Sequence, residues 1–391
     1  MRRAVGLGYF AGKDNMSVSL EEVREFASTR IIGTLERRYR EGVFSRELWH
    51  EMCEIGLLGF TVPESEGGSG GTPELLSDCL YEFAREGRDL GLTLSWITHL
   101  GLCVKSIERY GTPRQREKYL RRLVSGEWVG ATAISEPDTG AHPGGIRSRA
   151  VRRDGGYTLS GRKVYTTNGP VADLLVVVAA TGDLPDGNKE LTSFLVEASA
   201  PGFSAEYMDI GFLRTSPHGE LRFEDIELPE DSVLGRPGEG HSEASRSALA
   251  RERSCVYAAM AGFFRSAAAE VAARITQKYE GFNLEGSEAD SWVHHLSALE
   301  VYRMVARELI EASFGGLRRW KEKLGLAIYA GISCSKWASW LCDLADGRRL
   351  EKTFPLDIIL KDIELILVGE GLLLKEGRRL YIEGERAVFQ G

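Results

Sequence analysis

Two stretches of this chain bring hydroxyls and an aromatic ring next to turn-forming residues. The first runs Gly126-Glu127-Trp128-Val129-Gly130-Ala131-Thr132-Ala133-Ile134-Ser135-Glu136-Pro137-Asp138-Thr139-Gly140. The second runs Asp154-Gly155-Gly156-Tyr157-Thr158-Leu159-Ser160-Gly161-Arg162-Lys163-Val164-Tyr165-Thr166-Thr167-Asn168-Gly169. Ser135, Tyr165 and Thr167 fall where strand-like runs give way to turns. A flat ring with hydroxyls beside it is what a planar heteroaromatic ligand needs, a face to stack on and hydrogen-bonding groups at its edge. Taken by themselves, these features favour an ordinary β-domain with turns over a ligand site.

Other chemistry-bearing patterns are weaker. Gly6-Leu7-Gly8-Tyr9-Phe10-Ala11-Gly12 approaches a dinucleotide fingerprint, but its last spacing is wrong and neither a strand nor a βαβ pattern surrounds it. Gly67-Gly68-Ser69-Gly70-Gly71 satisfies G-x-S-x-G, which would make Ser69 a nucleophile with His99 or His142 as base. The helical pattern around it instead predicts a flexible loop. No H-E-x-x-H or C-x-x-C occurs, and adjacent His294 and His295 point to different faces of a helix, so no metal site is expected.

The elements that must position these groups follow from periodicity. Residues 15–127 read as helices: Ser19 with Glu22 has capping-box spacing, and Thr112, Pro113 and Gln115 repeat it with proline at the first helical position. From about 128 to 240 the pattern turns to short β-rich runs broken by Gly, Pro, Asn and Asp, among them Tyr157–Leu159, Leu174–Val178 and Leu221–Leu228, which predicts an antiparallel barrel or sandwich. Helical periodicity then returns over roughly 243–280, 288–316, 317–345 and 356–376, as four helices of a bundle. The expected fold is α+β and mostly helical, with an N-terminal α-helical domain (1–127), a middle β-barrel (128–241) and a C-terminal four-helix bundle (242–391).

Composition narrows the partners. With 49 Lys and Arg against 57 Asp and Glu the net charge is −8, and the acidic residues are scattered, so nucleic acid is not expected as a partner. Cys53, Cys79, Cys103, Cys255, Cys334 and Cys342 lie far apart, as reduced thiols of a cytoplasmic protein would. The run around Leu174–Thr181 is too short to cross a bilayer, and the apolar part of Met1–Gly12 is too short and glycine-broken for a signal peptide. A cytoplasmic protein without a membrane span is expected.

The two opening stretches resemble the acyl-CoA dehydrogenase superfamily of flavoproteins, whose β-domain carries A-x-T/S-E-P-x-x-G-S-D followed by D-G-x-Y-x-L-x-G-x-K-x-W/Y-I-T/S-N-G. Upstream, Gly56–Phe60 leading to Pro63-Glu64 and Gly67-Gly68, and Tyr110–Leu120, are similar to its helical domain; downstream, Leu221–Asp225 through Pro229 to Leu234–Gly240 is similar to the exit from its β-domain. The resemblance implies FAD at a subunit interface of a homo-oligomer, dimer or tetramer, with Ile134 through its backbone, Ser135, Gly140 and Thr167 around the flavin and Tyr165 packed on its face. It also implies an acyl thioester substrate, on coenzyme A or an acyl carrier protein, and an acceptor such as an electron-transfer flavoprotein. In that chemistry a carboxylate removes the α-proton of the thioester while the β-hydrogen leaves as hydride to flavin N5. The base must sit beside an oxyanion site, because the proton is acidic only when the carbonyl is polarised.

The family's usual base follows P-x-x-x-x-x-R-D-A at E-G-T, and Pro355 through Lys361-Asp362 to Glu370-Gly371 keeps that register, which makes Glu370 the first candidate. Its neighbours Leu365–Val368 and Leu372 would raise its pKa. Glu252, followed by Arg253, falls where some members carry the base on a different helix; Glu383 imitates the local motif but lies later. Ala141, Arg253 and Gly371 are the implied substrate contacts. Three segments depart from the family. S-D is Ala141-His142; R-x-x-F-G is Gln277-Lys278-Tyr279-Glu280-Gly281; and Q-x-x-G-G-x-G is Asp343-Leu344-Ala345-Asp346-Gly347-Arg348-Arg349. Lys278 is expected to replace the missing charge near the cofactor diphosphate.

Overall fold

The computed structural model describes residues 18–140, 145–185, 188–240 and 245–363. The first helices start where the sequence caps them. Ser19 Oγ accepts from the Glu22 amide at 3.5 Å ahead of α1 (Leu20–Phe26). A π-turn at Ala27–Ile31 leads to α2 (Ile32–Glu41), followed by α3 (Arg46–Glu54), α4 (Pro73–Gly87) and α5 (Leu90–Ile97). A second π segment, Thr98–Val104, continues into α6 (Lys105–Tyr110), and α7 (Pro113–Val124) follows. At α7 the capping box is complete: the Gln115 amide donates to Thr112 Oγ1 (3.2 Å) and the Thr112 amide to Gln115 Oε1 (2.9 Å).

Leu90–Tyr110 is one helical run of 21 residues, long and apolar enough to cross a membrane. Its apolar window is 89% buried inside the protein, as a core helix requires. The glycine segment before α4 is not the expected flexible loop. The Ser69, Gly70 and Gly71 amides donate to the carbonyls of Gly59, Val62 and Phe60, and a Cβ on Gly68 would lie 2.2 Å from the Val62 carbonyl oxygen. Ser69 is buried and its hydroxyl donates to the Gly56 carbonyl at 2.8 Å, so it closes a turn.

The strands are β1 (Gly130–Ala133), β2 (Arg149–Arg153), β3 (Gly156–Thr167), β4 (Leu174–Asp183), β5 (Lys189–Glu197), β6 (Phe203–Tyr207), β7 (His218–Pro229) and β8 (Val233–Leu234). They form one sheet in the order β6-β7-β3-β2-β4-β5-β8, with β1 beside β4. Most pairs are antiparallel, but β1 runs parallel to β4, from Gly130 opposite Leu174 to Ala133 opposite Val177, and β2 meets β4 in parallel at Arg149 and Ala180. No hairpin joins these neighbours in sequence, so nothing forces them antiparallel. The continuous run of β4 is explained by burial on both faces. Leu175, Val177 and Ala179 enter the sheet core with Phe194 and Phe223, while Leu174 and Val176 join the helical core.

Helices resume with α8 (Arg246–Tyr279), α9 (Ser287–Gly315), α10 (Leu317–Glu322) and α11 (Leu324–Gly347). The third helix, expected in one piece, breaks at Lys323 (φ −103°, ψ 14°). Backbone at 356–363 is helical, and the remainder of the fourth expected helix lies outside the described residues. One apolar core joins the first and last helices through Phe83, Trp96, Phe263, Phe264 and Trp337. α4 and α8 approach at Gly262, where a Cβ would sit 1.9 Å from the Tyr81 carbonyl oxygen.

Candidate active site

The two stretches singled out in the sequence are held together by a buried ion pair. Lys163, with 0% of its side chain exposed, donates from Nζ to Glu136 Oε1 at 2.8 Å and to the Ile134 carbonyl at 3.0 Å. Glu136 also accepts from the amides of Arg147 (2.6 Å) and Ser148 (3.0 Å). Burial pulls the Lys163 ammonium down to about 8 despite its partner. Burial also works to raise the Glu136 carboxyl, but the lysine and the donors outweigh it and leave it below the ordinary value. Around this pair the loop closes on itself, the Glu136 and Gly140 amides donating to each other's carbonyls at 2.9 and 3.0 Å. The Val164 amide donates to the Ser135 carbonyl at 2.9 Å, which brings the Ser135 loop against β3.

Beyond Lys163 the β3–β7 register slips before Thr166. Tyr165 sits in that bulge with φ +54°, a left-handed backbone that a bulky side chain rarely takes, and its ring is 63% exposed. A strained, exposed aromatic between two buried neighbours marks a surface made for a partner or ligand. Two residues on, half-buried Thr167 faces His218 across the ladder, Oγ1 to Nδ1 at 3.3 Å. Asn168 donates to the carbonyls of Ser95 (2.9 Å) and Gly130 (3.2 Å), tying the end of β3 to α5 and β1. Ile134, half-buried Ser135, Gly140 (φ +56°), Tyr165 and Thr167 are thus all supplied by two segments fixed to each other. A ring, hydroxyls and an open glycine backbone on these two segments are the groups a flavin ring would need.

The acidic candidates divide. Glu370, Gly371, Glu383 and Ala141 lie outside the described residues. Glu252 is on α8, where Leu249 packs against the apolar cluster formed by Ile134, Ile146, Val178, Ala180 and Leu191. Glu252 and Arg253 are half-buried and follow Leu249 at the three- and four-residue spacing of one helix face, about 4.5 and 6 Å further along the axis. Burial pushes the Glu252 carboxyl up, against the lowering effect of Arg253.

Three buried groups were missed by the sequence reading. Arg251 is fully buried, donates to the Gly101 carbonyl (2.7 Å) in the π segment and to Ser106 Oγ (3.0 Å), and is pulled down to about 10 by burial. Asp362 accepts from Tyr39 Oη (2.6 Å) and the Leu213 amide (2.8 Å), joining the last helix to α2 and the approach to β7; burial raises it to about 7. Lys163 carried a usable signal, since it shares the inward parity of Tyr157 and Leu159. His99 is not a base for Ser69: its Nδ1 accepts the Gly130 amide at 2.9 Å, and burial pulls it down to about 3.

The segments that depart from the family pattern are engaged within the chain. Lys278 Nζ donates to the carbonyls of Arg348 (2.9 Å) and Arg349 (2.7 Å), capping the end of α11, and Arg348 pairs with Glu288. Asp346 pairs with Lys352 at 2.7 Å. Lys278, expected to supply charge near a diphosphate, has two of its three donors on these carbonyls, since the carbonyls at a helix end attract a nearby ammonium.

Residues 17–127 match the acyl-CoA dehydrogenase N-terminal domain family, and residues 131–226 match the acyl-CoA dehydrogenase middle domain family. The mitochondrial isovaleryl-CoA dehydrogenase of Solanum tuberosum is 33% identical over 376 residues, which cover 93% of this chain and 89% of that protein. The solved butyryl-CoA dehydrogenase of Megasphaera elsdenii has the same fold, with a TM-score of 0.79 at 24% identity over 94% of this chain and 99% of that one. A chain in the structure of the electron transferring flavoprotein of Acidaminococcus fermentans gives a TM-score of 0.81 at 23% identity, covering 98% of this chain and 100% of that one.

Proposed function

The chain belongs to the acyl-CoA dehydrogenase family, and from that premise we propose that it binds FAD and removes the α-proton of an acyl-CoA with Glu252. It is an oxidoreductase acting on CH–CH groups. FAD, when bound, supplies the acceptor for the hydride that leaves the β-carbon. Ser135, the Ile134–Gly140 loop and Thr167 hold its ring, with Tyr165 against the face, and the Lys163–Glu136 pair keeps the two segments in place. Glu252 takes the α-proton onto its carboxylate, and the pKa raised by burial makes that oxygen a stronger base than an exposed glutamate. The observation that carries the assignment is the position of Glu252 on α8, one turn from the Leu249 side chain that packs on the apolar cluster containing Ile134. The resemblance to an isovaleryl-CoA dehydrogenase makes short branched acyl-CoA thioesters the first substrates to try. A homo-oligomer and an electron-transfer flavoprotein acceptor complete the proposal.

Anaerobic mixing with isovaleryl-CoA and a panel of straight-chain acyl-CoA thioesters, followed by visible absorption, tests it. Bleaching in the parent, its loss in Glu252→Gln and its survival in Glu370→Gln is the expected result. Full bleaching in Glu252→Gln with loss in Glu370→Gln moves the base to Glu370. A second reading, the same scaffold with flavin held too weakly for turnover, rests on Lys278 and Arg348 being engaged inside the chain. Flavin content after purification separates the two.

A further inference from the structure

His218 opens β7 and is 6% exposed. Its Nδ1 lies 3.3 Å from Thr167 Oγ1, and its Nε2 has no hydrogen-bond partner among the described residues. The ring is not free to move. The chain leading to it is fastened by buried contacts: Leu213 donates its amide to Asp362, Thr215 Oγ1 donates to Asp89 Oδ1 (2.5 Å), and Ser216 Oγ meets Ser95 Oγ at 3.1 Å. The His218 carbonyl accepts the Met208 amide at 2.8 Å, so the backbone is pinned on both sides. Burial alone pulls the ring down to about 4, and it is neutral at physiological pH.

A neutral imidazole carries one N–H, and where it lies decides what Thr167 offers to a ligand. With the proton on Nδ1, the ring donates to Thr167 Oγ1 and the threonine hydroxyl proton turns outward. With the proton on Nε2, the Thr167 proton turns inward to Nδ1, leaving only lone pairs for the ligand, and a buried N–H goes without a partner. An orphaned buried N–H is the rarer and costlier defect, so the first arrangement is favoured. We propose that His218 is a positioning residue that fixes Thr167 as a hydrogen-bond donor to an acceptor atom on the edge of the bound flavin ring. This rests on the flavin reading above, and it adds a residue that lies outside the two motif segments.

The test compares the full chain with its His218→Ala, His218→Asn and Thr167→Val variants, loaded with FAD. His218→Ala should move the visible absorption band of bound FAD and raise its dissociation constant roughly five- to tenfold, the loss of one hydrogen bond. His218→Asn, whose amide N–H replaces Nδ1–H, should restore both. In a Thr167→Val background, His218→Ala should have no further effect, since the two act through one hydroxyl. Nitrogen NMR of the histidine rings in the protein, with and without FAD, should show His218 as the Nδ1–H tautomer. An Nε2–H tautomer, an unchanged band and affinity in folded His218→Ala, or an undiminished effect in the Thr167→Val background overturns the proposal. A parent chain that binds no FAD overturns the flavin reading itself, whereas bound FAD indifferent to His218 overturns only this inference.

Discussion

Glu136→Gln should be among the most damaging single-atom changes in this protein, because it strips the partner from a lysine with no exposed surface. The amide keeps the carboxylate's shape and one acceptor oxygen but removes its charge, and its NH2 must face either the Lys163 ammonium or the Arg147 amide, both of them donors. Breaking one half of a buried pair costs about 3–5 kcal/mol. A ceiling comes from the lysine itself, which can shed its proton: from an ordinary value of 10.5, doing so at pH 7 costs about 5 kcal/mol at 1.36 kcal/mol per unit. The ceiling implies a pH signature. In the variant, native Lys163 is neutral while the unfolded chain still binds the proton, so its stability rises with pH. In the parent, Lys163 is half-deprotonated near 8, so the parent shares a smaller part of the same gain. Between pH 7 and 8 the deficit should therefore shrink by about 1 kcal/mol. Urea unfolding followed by circular dichroism at the two pH values measures both quantities. A Glu136→Gln/Lys163→Met double variant, with no charge left to strand, should recover most of the loss. A single variant within about 1 kcal/mol of the parent, or a double variant as unstable as the single, would refute the reasoning.

Three further outcomes are expected. Tyr165→Gly should leave stability equal or raise it by up to about 1 kcal/mol by relieving the left-handed backbone, while weakening FAD binding; urea midpoints and flavin titration moving in the same direction would count against it. Gly262→Ala should lower stability by about 1–3 kcal/mol by forcing α4 and α8 apart, read by calorimetry against a neighbouring Ala261→Gly control. Asp362→Asn should gain on the parent as pH rises. The buried carboxyl titrates near 7 against 3.8 ordinarily, so the parent loses stability across that window, on the order of 4 kcal/mol, and the amide does not. Melting temperatures at pH 4.5 and 8 check it, and a pH-independent difference would count against the raised carboxyl.

Much of the layout could be read from local signals, because those signals act locally. The Thr112–Gln115 box, the alternation in Leu221–Leu228 and the unbroken apolar run of β4 each state a helix start, a half-buried strand and a doubly buried strand in a few residues. The site was legible in part for the same reason: Ser135, Tyr165 and Thr167 sit at strand ends that composition reveals. The glycine segment misled, since five small residues are equally the requirement of a mobile loop and of a turn packed against Phe60 and Val62. Leu90–Tyr110 is masked as an apolar run by its polar residues, His99 among them, whose hydrogen bonds come from elsewhere in the chain.

Sequence by itself determined the order of helical and β-rich segments, because that order depends on residue type and short-range spacing, and the motifs in it carried the resemblance to the family. Tertiary structure decided the rest. Thr167 and His218 are 51 positions apart, Lys163 and Glu136 are 27, and Tyr39 and Asp362 are 323. Each is a pair only because strand register or helix packing closes the distance. The pKa values that make such groups useful or costly arise from the same closure, since burial removes the water that would otherwise hold them at their ordinary values.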